Sequence, residues 1–297
     1  MLKFLRKNGP GYLFLVPWFI GFIALALGPI LVSLYLAFTK YDIFSPPEWI
    51  GLENFEFMFL YDDRFLNSLQ VTFTFVFLSV PGKLVFALIV AMVLDKGIRG
   101  IGFYRALFYL PSILGGSIAV AILWRQLFDY DGIVNAVLAK VGIQGPYWLN
   151  DPDYALYTLI ILAMWQFGSP MLIFLAGLRS ISPELYEAAE MDGTSKFKQF
   201  YAITIPLLAP VIFFNLVLQM IDAFKTFSSA FVISGGSGAP VDSLNFITLY
   251  LYNEAFTFFR MGYASALAWV LLVIIAIFTG IAFYSSRYWV YYENERD

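Results

Sequence analysis

Six apolar stretches, each long enough to cross a lipid bilayer, account for more than half of this sequence. They run roughly over residues 12–38, 69–94, 103–127, 154–178, 206–233 and 261–286. A membrane-spanning helix needs about 20 mostly apolar residues, and in lipid its backbone groups must bond to one another. The pattern therefore predicts an all-α polytopic membrane protein with six transmembrane helices, organised as a single transmembrane domain over residues 1–297.

Composition excludes several kinds of active site. The chain is 60% hydrophobic and only 13% charged, and it contains no Cys and no His. Thiol nucleophiles, disulfides, His-based metal sites and Ser-His-Asp triads are therefore excluded. The net charge of -3, with no basic tract, gives no sign of nucleic-acid binding. We expect no catalytic residue, no metal ligand and no nucleic-acid partner.

ATP binding by this chain is not expected either. A phosphate-binding loop needs the pattern Gly-x4-Gly-Lys followed by Ser or Thr. The Gly82-Lys83 pair follows Pro81 inside the second span and lacks the upstream glycine. We expect no cofactor in this chain.

Basic residues in the predicted loops indicate the orientation of the chain. In bacterial membrane proteins the cytoplasmic loops carry an excess of Lys and Arg. An N-terminus inside the cell places most of the basic residues on the inner side, namely Lys3, Arg6, Lys7, Lys96, Arg99, Arg105, Arg179, Lys196, Lys198, Arg287 and Arg296, against Lys40, Arg64, Arg125, Lys140 and Arg260 outside. Both termini and residues 182–205 are then predicted to be cytoplasmic.

Residues 182–205 form a polar, helix-forming segment between the fourth and fifth spans, and we call this segment the bracket. Ser182 is a favourable N-cap, and Pro183 suits the first helical position. Gly193 fits the left-handed residue that ends a helix. Thr194 is then expected to cap a second short helix that continues through Tyr201, with Pro206 opening the fifth span. The bracket is therefore predicted to be a helix-turn-helix.

Two interpretations of the bracket remain open on composition alone. It could be an amphipathic helix lying among lipid headgroups, which favours a broad apolar face and a basic polar face. It could instead be held by a soluble protein. Ala188, Ala189 and Asp192 share one helical face with Leu185. This small-residue face on an acidic helix favours a protein socket.

The bracket also carries a recognisable motif. Glu187-Ala188-Ala189 is followed after three residues by Gly193, and after nine more by Ile203-Thr204-Ile205-Pro206. This spacing resembles the EAA signature of ABC-importer permeases, Glu-Ala-Ala-x3-Gly-x9-Ile-x-Leu-Pro, with Ile205 in place of Leu. Residues 49–55, 108–111, 262–266 and 287–290 resemble shorter motifs of the carbohydrate-uptake permeases. The resemblance is to the first permease of a heterodimeric pair, of the maltose, glycerol-phosphate and multiple-sugar type.

The resemblance implies a set of partners and a place in the cell. In that family a second homologous permease completes the pathway, two cytoplasmic ATPase subunits bind ATP and Mg, and an extracytoplasmic binding protein delivers a sugar or oligosaccharide. The lipid bilayer would be that of a prokaryotic cell membrane. The resemblance also implies that the ATPase-docking residues are Glu187, Ala188, Ala189, Asp192 and Gly193.

Charged residues inside the spans give a candidate solute pathway. A charge in the bilayer core costs at least ~2.5 kcal/mol, so such residues are expected to face protein or water. Asp222 and Lys225 form either part of the pathway or a structural ion pair, with Gln219, Thr226 and Ser229 nearby. Lys83 is interpreted as structural. The alternative to the importer is an ion-coupled secondary transporter acting alone, for which only Lys83, Asp222 and Lys225 would be suitable mid-membrane groups.

Overall fold

The computed structural model describes residues 14–97 and 100–290. The predicted inner residues Lys3, Arg6, Lys7, Arg99 and Arg296 lie outside the described residues, as do the first two positions of the first predicted span. In the described part the chain is almost entirely helical, which confirms the predicted all-α class.

The described residues form fourteen helices. In chain order they are α1 (Phe14–Ala37), α2 (Glu53–Leu60), α3 (Asp63–Asp95), α4 (Ile101–Leu114), α5 (Ile118–Leu127), α6 (Ile133–Lys140), α7 (Pro152–Trp165), α8 (Gly168–Ser180), α9 (Pro183–Met191), α10 (Lys196–Gln199), α11 (Ile205–Phe224), α12 (Ser228–Ile233), α13 (Ile247–Tyr252) and α14 (Met261–Trp289). Wider π-helical turns occur at Ile23–Leu27, Phe200–Thr204 and Asn253–Thr257. Two short antiparallel strands, β1 (Thr39–Lys40) and β2 (Glu48–Trp49), pair Thr39 with Trp49 and Lys40 with Glu48.

The candidate membrane spans reach the predicted number of six when each of two bent helix pairs is taken as one span. Four helical segments of the described residues are long and apolar enough to cross a bilayer: Phe14–Ala37, Asp63–Asp95, Lys196–Ile233 and Met261–Trp289. The two bent pairs pass the same test only as pairs. Helices α4 and α5 meet at an angle of 99°, and α7 and α8 meet at 41°. The third and fourth predicted spans are therefore interrupted rather than continuous, and the interruptions fall at glycine and glutamine residues that are described below.

The chain divides into two compact units. One consists of Met1–Asp62 and Leu251–Val270, and the other of Asp63–Tyr250 and Leu271–Asp297. The prediction of one transmembrane domain over residues 1–297 stays a prediction.

An ion pair between a buried carboxylate and a half-exposed arginine lies in the first unit. The carboxylate of Glu254 is almost completely buried, and both of its oxygens bind the guanidinium of Arg260, at 2.6 and 2.8 Å. The guanidinium carbon of Arg260 also lies 5.7 Å from the ring centroid of Tyr263, whose hydroxyl donates to the carboxylate of Asp62. Gly262 packs directly on a backbone carbonyl of β1, where a Cβ would come within 2.1 Å. These contacts fix the start of α14 against the 39–62 segment.

Helix α3 lies at the centre of the second unit. It packs against α7, α8 and α11, and it buries a series of side chains along its length, from Phe65 to Leu94. The buried hydroxyls of Ser68 and Thr72 donate to backbone carbonyls three and four residues earlier, and the Thr72 hydroxyl also accepts from the Ile247 N–H at 3.1 Å. The helix passes through Pro81 without interruption. Helix α3 therefore forms one continuous wall of the cavity that is described below.

Candidate functional site: a polar cavity and an exposed bracket

A cavity of about 240 Å³ lies in the second unit, where three helix interruptions meet. The first interruption separates α4 from α5, the second separates α7 from α8, and the third separates α11 from α12. Side chains of α3 complete the wall. The cavity is lined by Phe75, Ser79, Val80, Lys83, Gly115, Gly116, Ser117, Leu159, Leu162, Ala163, Gln166, Gln219, Asp222, Ala223, Thr226, Phe227, Ser228 and Ser229.

The first interruption has a local cause. Gly115 and Gly116 are poor helix formers, and Ser117 begins the next helix by accepting a hydrogen bond from the backbone N–H of Val120 at 3.3 Å. The missing side chain at Gly115 also leaves room for Gln166, because a Cβ there would lie 2.3 Å from the Gln166 side chain. The Gln166 amide donates to the Gly115 carbonyl at 3.0 Å.

Backbone contacts join the first and second interruptions. The hydroxyl of Ser112 donates to the Gln166 carbonyl at 3.0 Å and accepts from the Ser169 N–H, also at 3.0 Å. Gly168 packs on the backbone of α4, where a Cβ would lie 2.5 Å from the Phe108 carbonyl oxygen. The two broken helices therefore satisfy each other's freed backbone groups, which lipid could not do.

Gly168→Ala is expected to destabilise the protein strongly, because the added methyl group meets backbone atoms that cannot rotate away. Overpacking of this kind costs about 1–3 kcal/mol. The matched control is Gly102→Ala in α4, where a Cβ has no described atom within 4 Å and alanine improves helix propensity. Thermal unfolding of the purified protein in detergent measures both variants. Equal melting temperatures for the two would contradict the close approach at Gly168.

The opposite wall of the cavity carries a charged and hydrogen-bonded cluster. The ammonium of Lys83 on α3 donates to the Gln219 side-chain oxygen on α11 at 2.9 Å. Asp222, one turn further along α11, also lines the cavity and lies 3.5 Å from the Lys225 ammonium. The lining thus contains one cation and one anion, so their formal charges cancel.

The predicted pathway residues are partly brought together by this geometry. Gln219, Asp222, Thr226 and Ser229 all line the cavity, whereas Lys225 does not. The fifth span was predicted to be one helix over 206–233, but α11 ends at Phe224 and Lys225 is its C-cap, with 57% of its side chain exposed. The interruption turns Lys225 away from the cavity while Thr226 and Ser229 remain in it.

Sequence reasoning missed three parts of the cavity wall. Lys83 was interpreted as structural, and its partner Gln219 lies 136 residues away in the chain. The 115–117 and Gln166 interruptions had signals of their own, since Gly-Gly-Ser and an isolated glutamine stand in the middle of apolar runs. Those signals could have located the two breaks, but they could not have shown that the breaks meet at one cavity.

The bracket begins and turns where the sequence predicts. Helix α9 starts at Pro183 after the N-cap position of Ser182, although the Ser182 hydroxyl makes no capping hydrogen bond. At its end Gly193 has φ +71°. The Thr194 N–H donates to the Ala189 carbonyl at 2.9 Å, and the Gly193 N–H donates to the Glu190 carbonyl at 3.0 Å. This is the Schellman pattern that ends a helix at a left-handed glycine.

The second arm of the bracket differs from its prediction. Ser195, rather than Thr194, caps it by accepting from the Lys198 N–H. The arm was expected to be a separate short helix, but it continues through the π-helical turn Phe200–Thr204 into α11. The wider turn directly precedes Pro206, which has no N–H and would crowd a regular helical turn. The bracket is thus continuous with the fifth span.

Side-chain bonds hold the two arms together and leave α9 open on its outer faces. The hydroxyls of Tyr186 and Thr204 are 2.9 Å apart, Gln199 donates to the Thr194 carbonyl at 3.1 Å, and Lys196 pairs with Glu190. No side chain of α9 is buried by the described residues. The exposed apolar side chains of the bracket are Leu185, Met191, Phe197 and Tyr201.

Helix breaks around a polar cavity, among apolar helices, are typical of membrane transport proteins. Residues 57–289 match the family described as "Binding-protein-dependent transport system inner membrane component". The chain belongs to this family, and the predicted resemblance to ABC-importer permeases is confirmed. It is a multi-pass protein of the inner membrane.

Individual relatives cover nearly the whole chain. The probable ABC transporter permease protein YesP of Bacillus subtilis is 51% identical over 98% of this chain and 95% of its own length. The trehalose/maltose transport system permease protein MalF of Thermococcus litoralis is 31% identical over 92% of each chain. A bacterial alginate ABC transporter, solved with an alginate pentasaccharide-bound periplasmic protein, has a chain with the same fold, with a TM-score of 0.79, 24% identity and coverage of 97% of each chain.

Proposed function

We propose that this permease forms half of the membrane pathway for a sugar or oligosaccharide. The observation that carries the proposal is the lining of the cavity. Hydroxyl and amide groups of Ser79, Ser117, Gln166, Gln219 and Thr226 face a space that also contains two aromatic rings, Phe75 and Phe227. Hydroxyl-rich solutes with apolar ring faces need this combination of hydrogen-bonding groups and flat apolar surface.

The charge of the cavity supports an uncharged solute. Lys83 and Asp222 are the ionisable side chains of the lining and have opposite signs, so the lining itself carries no net formal charge that would attract an anionic or a cationic solute. The relative named for trehalose and maltose carries neutral sugars. The cavity is also small beside the ~300–1,000 Å³ of ordinary ligand pockets, as is reasonable for a half-site that a second homologous permease completes.

The bracket is the proposed docking site for a cytoplasmic ATPase subunit. Glu187, Ala188, Ala189, Asp192 and Gly193 would contact it, with the alanines allowing close seating. The exposed α9, held to the second arm by side-chain bonds, supports this role, because a helix that transmits force must be rigid and accessible. Since the second arm continues into α11, a movement of the bracket would reach the cavity wall directly.

The full assembly then contains this chain, the second permease, two ATPase subunits that bind ATP and Mg, and an extracytoplasmic binding protein. Both termini and the bracket lie on the cytoplasmic side, and the membrane is that of a prokaryotic cell. The ATPase subunits hydrolyse ATP. This chain contributes a conformational change rather than catalysis.

The test is reconstitution of the complete assembly in lipid vesicles with a panel of radiolabelled solutes: maltose, trehalose, a uronate disaccharide and glycerol 3-phosphate. We expect uptake of a neutral sugar that requires both ATP and the binding protein. Uptake by the purified chain alone, driven by an ion gradient, would instead establish an ion-coupled secondary transporter. Uptake of the anionic solutes only would overturn the charge argument.

A further inference from the structure

Asn215, in the middle of α11, is a buried polar residue without a hydrogen-bond partner. Its side chain is completely buried, and neither its amide nitrogen nor its carbonyl oxygen is bonded to any described residue. A buried polar group left unbonded destabilises the folded protein, and native proteins retain few of them. Leucine, which has the same branching and the same number of side-chain heavy atoms, would carry no unbonded polar group, so a functional reason for the asparagine is worth seeking.

The position of Asn215 on its helix relates it to the cavity. It lies four residues before Gln219 and seven before Asp222, so these three residues share one face of α11. Gln219 and Asp222 line the cavity, and Asn215 does not. At 1.5 Å per residue, Asn215 is about 6 Å from Gln219 along the helix, on the side from which α11 leaves the bracket. It continues the polar face of the cavity towards the bracket.

Helices α3 and α8 both pack against α11, and no described side chain of either helix is bonded to the amide of Asn215. Helix α3 packs against α11, and Lys83 of α3 is bonded to Gln219. The next turn of α3, towards its Asp95 end, carries the fully buried Ala87. Asp95 pairs with Arg179, which lies just before the bracket, so this end of α3 is the bracket end. In the antiparallel register set by the Lys83–Gln219 bond, Ala87 is the α3 residue at the level of Asn215.

We propose that Asn215 is a further solute-contacting residue of the pathway, placed one helical turn beyond the cavity. Its amide gains partners, from the hydroxyls of a passing solute and from water, when α3 and α11 separate at this level. The inference rests on the proposed transport function and adds a specific second position along it. The amide of Asn215 is then unbonded while the two helices are in contact, and it forms its hydrogen bonds when they are apart.

The chain contains no cysteine, so Asn215→Cys carries a single thiol whose accessibility can be followed on this subunit by mass. The assembled transporter in vesicles is treated with a small charged methanethiosulfonate reagent, once without nucleotide and once trapped with ATP and vanadate. We expect the labelling rate of Asn215→Cys to differ at least tenfold between the two states. Labelling as slow as that of a buried control in both states would overturn the proposal.

Two further variants make this result interpretable. Ala209→Cys is the buried control, because Ala209 is 2% exposed on the same helix and about 120° away from Asn215 around its axis. Thr226→Cys reports on the cavity itself. A reactive Thr226→Cys with a silent Asn215→Cys contradicts only the role of Asn215. If both thiols are silent in both states, the cavity is not part of a water-filled pathway and the proposed function falls as well.

Asn215→Leu gives an independent measurement. We expect uptake of radiolabelled maltose or trehalose, whichever the native assembly imports, to fall about tenfold, while the melting temperature of the purified assembly stays equal or rises because the unbonded amide is gone. Full uptake would contradict the proposal. A loss of uptake accompanied by a lower melting temperature would also contradict it, because the asparagine would then serve packing.

Discussion

Replacing Gly193 by valine is expected to uncouple ATP hydrolysis from solute uptake while the chain still inserts into the membrane. Gly193 has φ +71°, and a β-branched residue in this region costs about 1–3 kcal/mol. No described atom lies within 4 Å of a Cβ placed there, so the effect acts through the backbone turn and not through a clash. A change of this size in the coupling free energy between two sites changes the effect of one site on the other roughly 5–150-fold.

The measurement compares ATP hydrolysis, uptake and membrane abundance of the variant in the complete assembly. We expect hydrolysis to persist and uptake to fall at least about tenfold. Gly193→Asn is the matched control, because asparagine tolerates the left-handed conformation, and it should retain most of the uptake. Equal losses in the two variants would show that the turn geometry is not what matters. Normal uptake with valine would remove the docking role of the bracket.

Replacing Lys83 by methionine is expected to reduce uptake about tenfold or more. Methionine keeps the length and apolar stem of the side chain but removes the ammonium that donates to Gln219 at 2.9 Å. The Gln219 oxygen loses its donor, and the lining loses its ammonium group. Asp222 keeps its ion pair with Lys225 at 3.5 Å. The loss of a hydrogen bond from a charged donor is worth about 1.5–3 kcal/mol, and each 1.36 kcal/mol is a factor of ten in rate.

Lys225→Met provides the control for Lys83→Met. Lys225 also lies near Asp222, at 3.5 Å, but its side chain is more than half exposed and does not line the cavity. Exposed ion pairs contribute little, typically 0.2–1 kcal/mol, so we expect a much smaller effect. Initial rates of sugar uptake across a concentration series separate a change in affinity from a change in turnover. If both variants lose uptake equally, it does not matter that Lys83 lines the cavity and Lys225 does not.

More of the bracket than of the cavity could be predicted from the sequence. Gly193 could be predicted as a left-handed helix end, because the residues that close that turn are its immediate neighbours. Lys225 was placed with the pathway because a continuous helix puts residues 222 and 225 on adjacent parts of one face. The helix ends at Phe224, and one missing turn is enough to change the direction of a side chain. The partner of Lys83 could not be predicted for a different reason, since Gln219 is distant in the sequence.

The sequence by itself determined the apolar spans, the family motif and the turn of the bracket. Each depends on a run of residues that is read locally: an apolar stretch must become a helix in lipid, and a glycine can take a left-handed turn at little cost. Only the tertiary structure decided that the interruptions of three spans meet at one cavity. That meeting depends on backbone close approaches, such as Gly115 on Gln166 and Gly168 on Phe108. It also depends on the Lys83–Gln219 bond across 136 residues. Such contacts form only when separate helices have packed, so no local pattern specifies them.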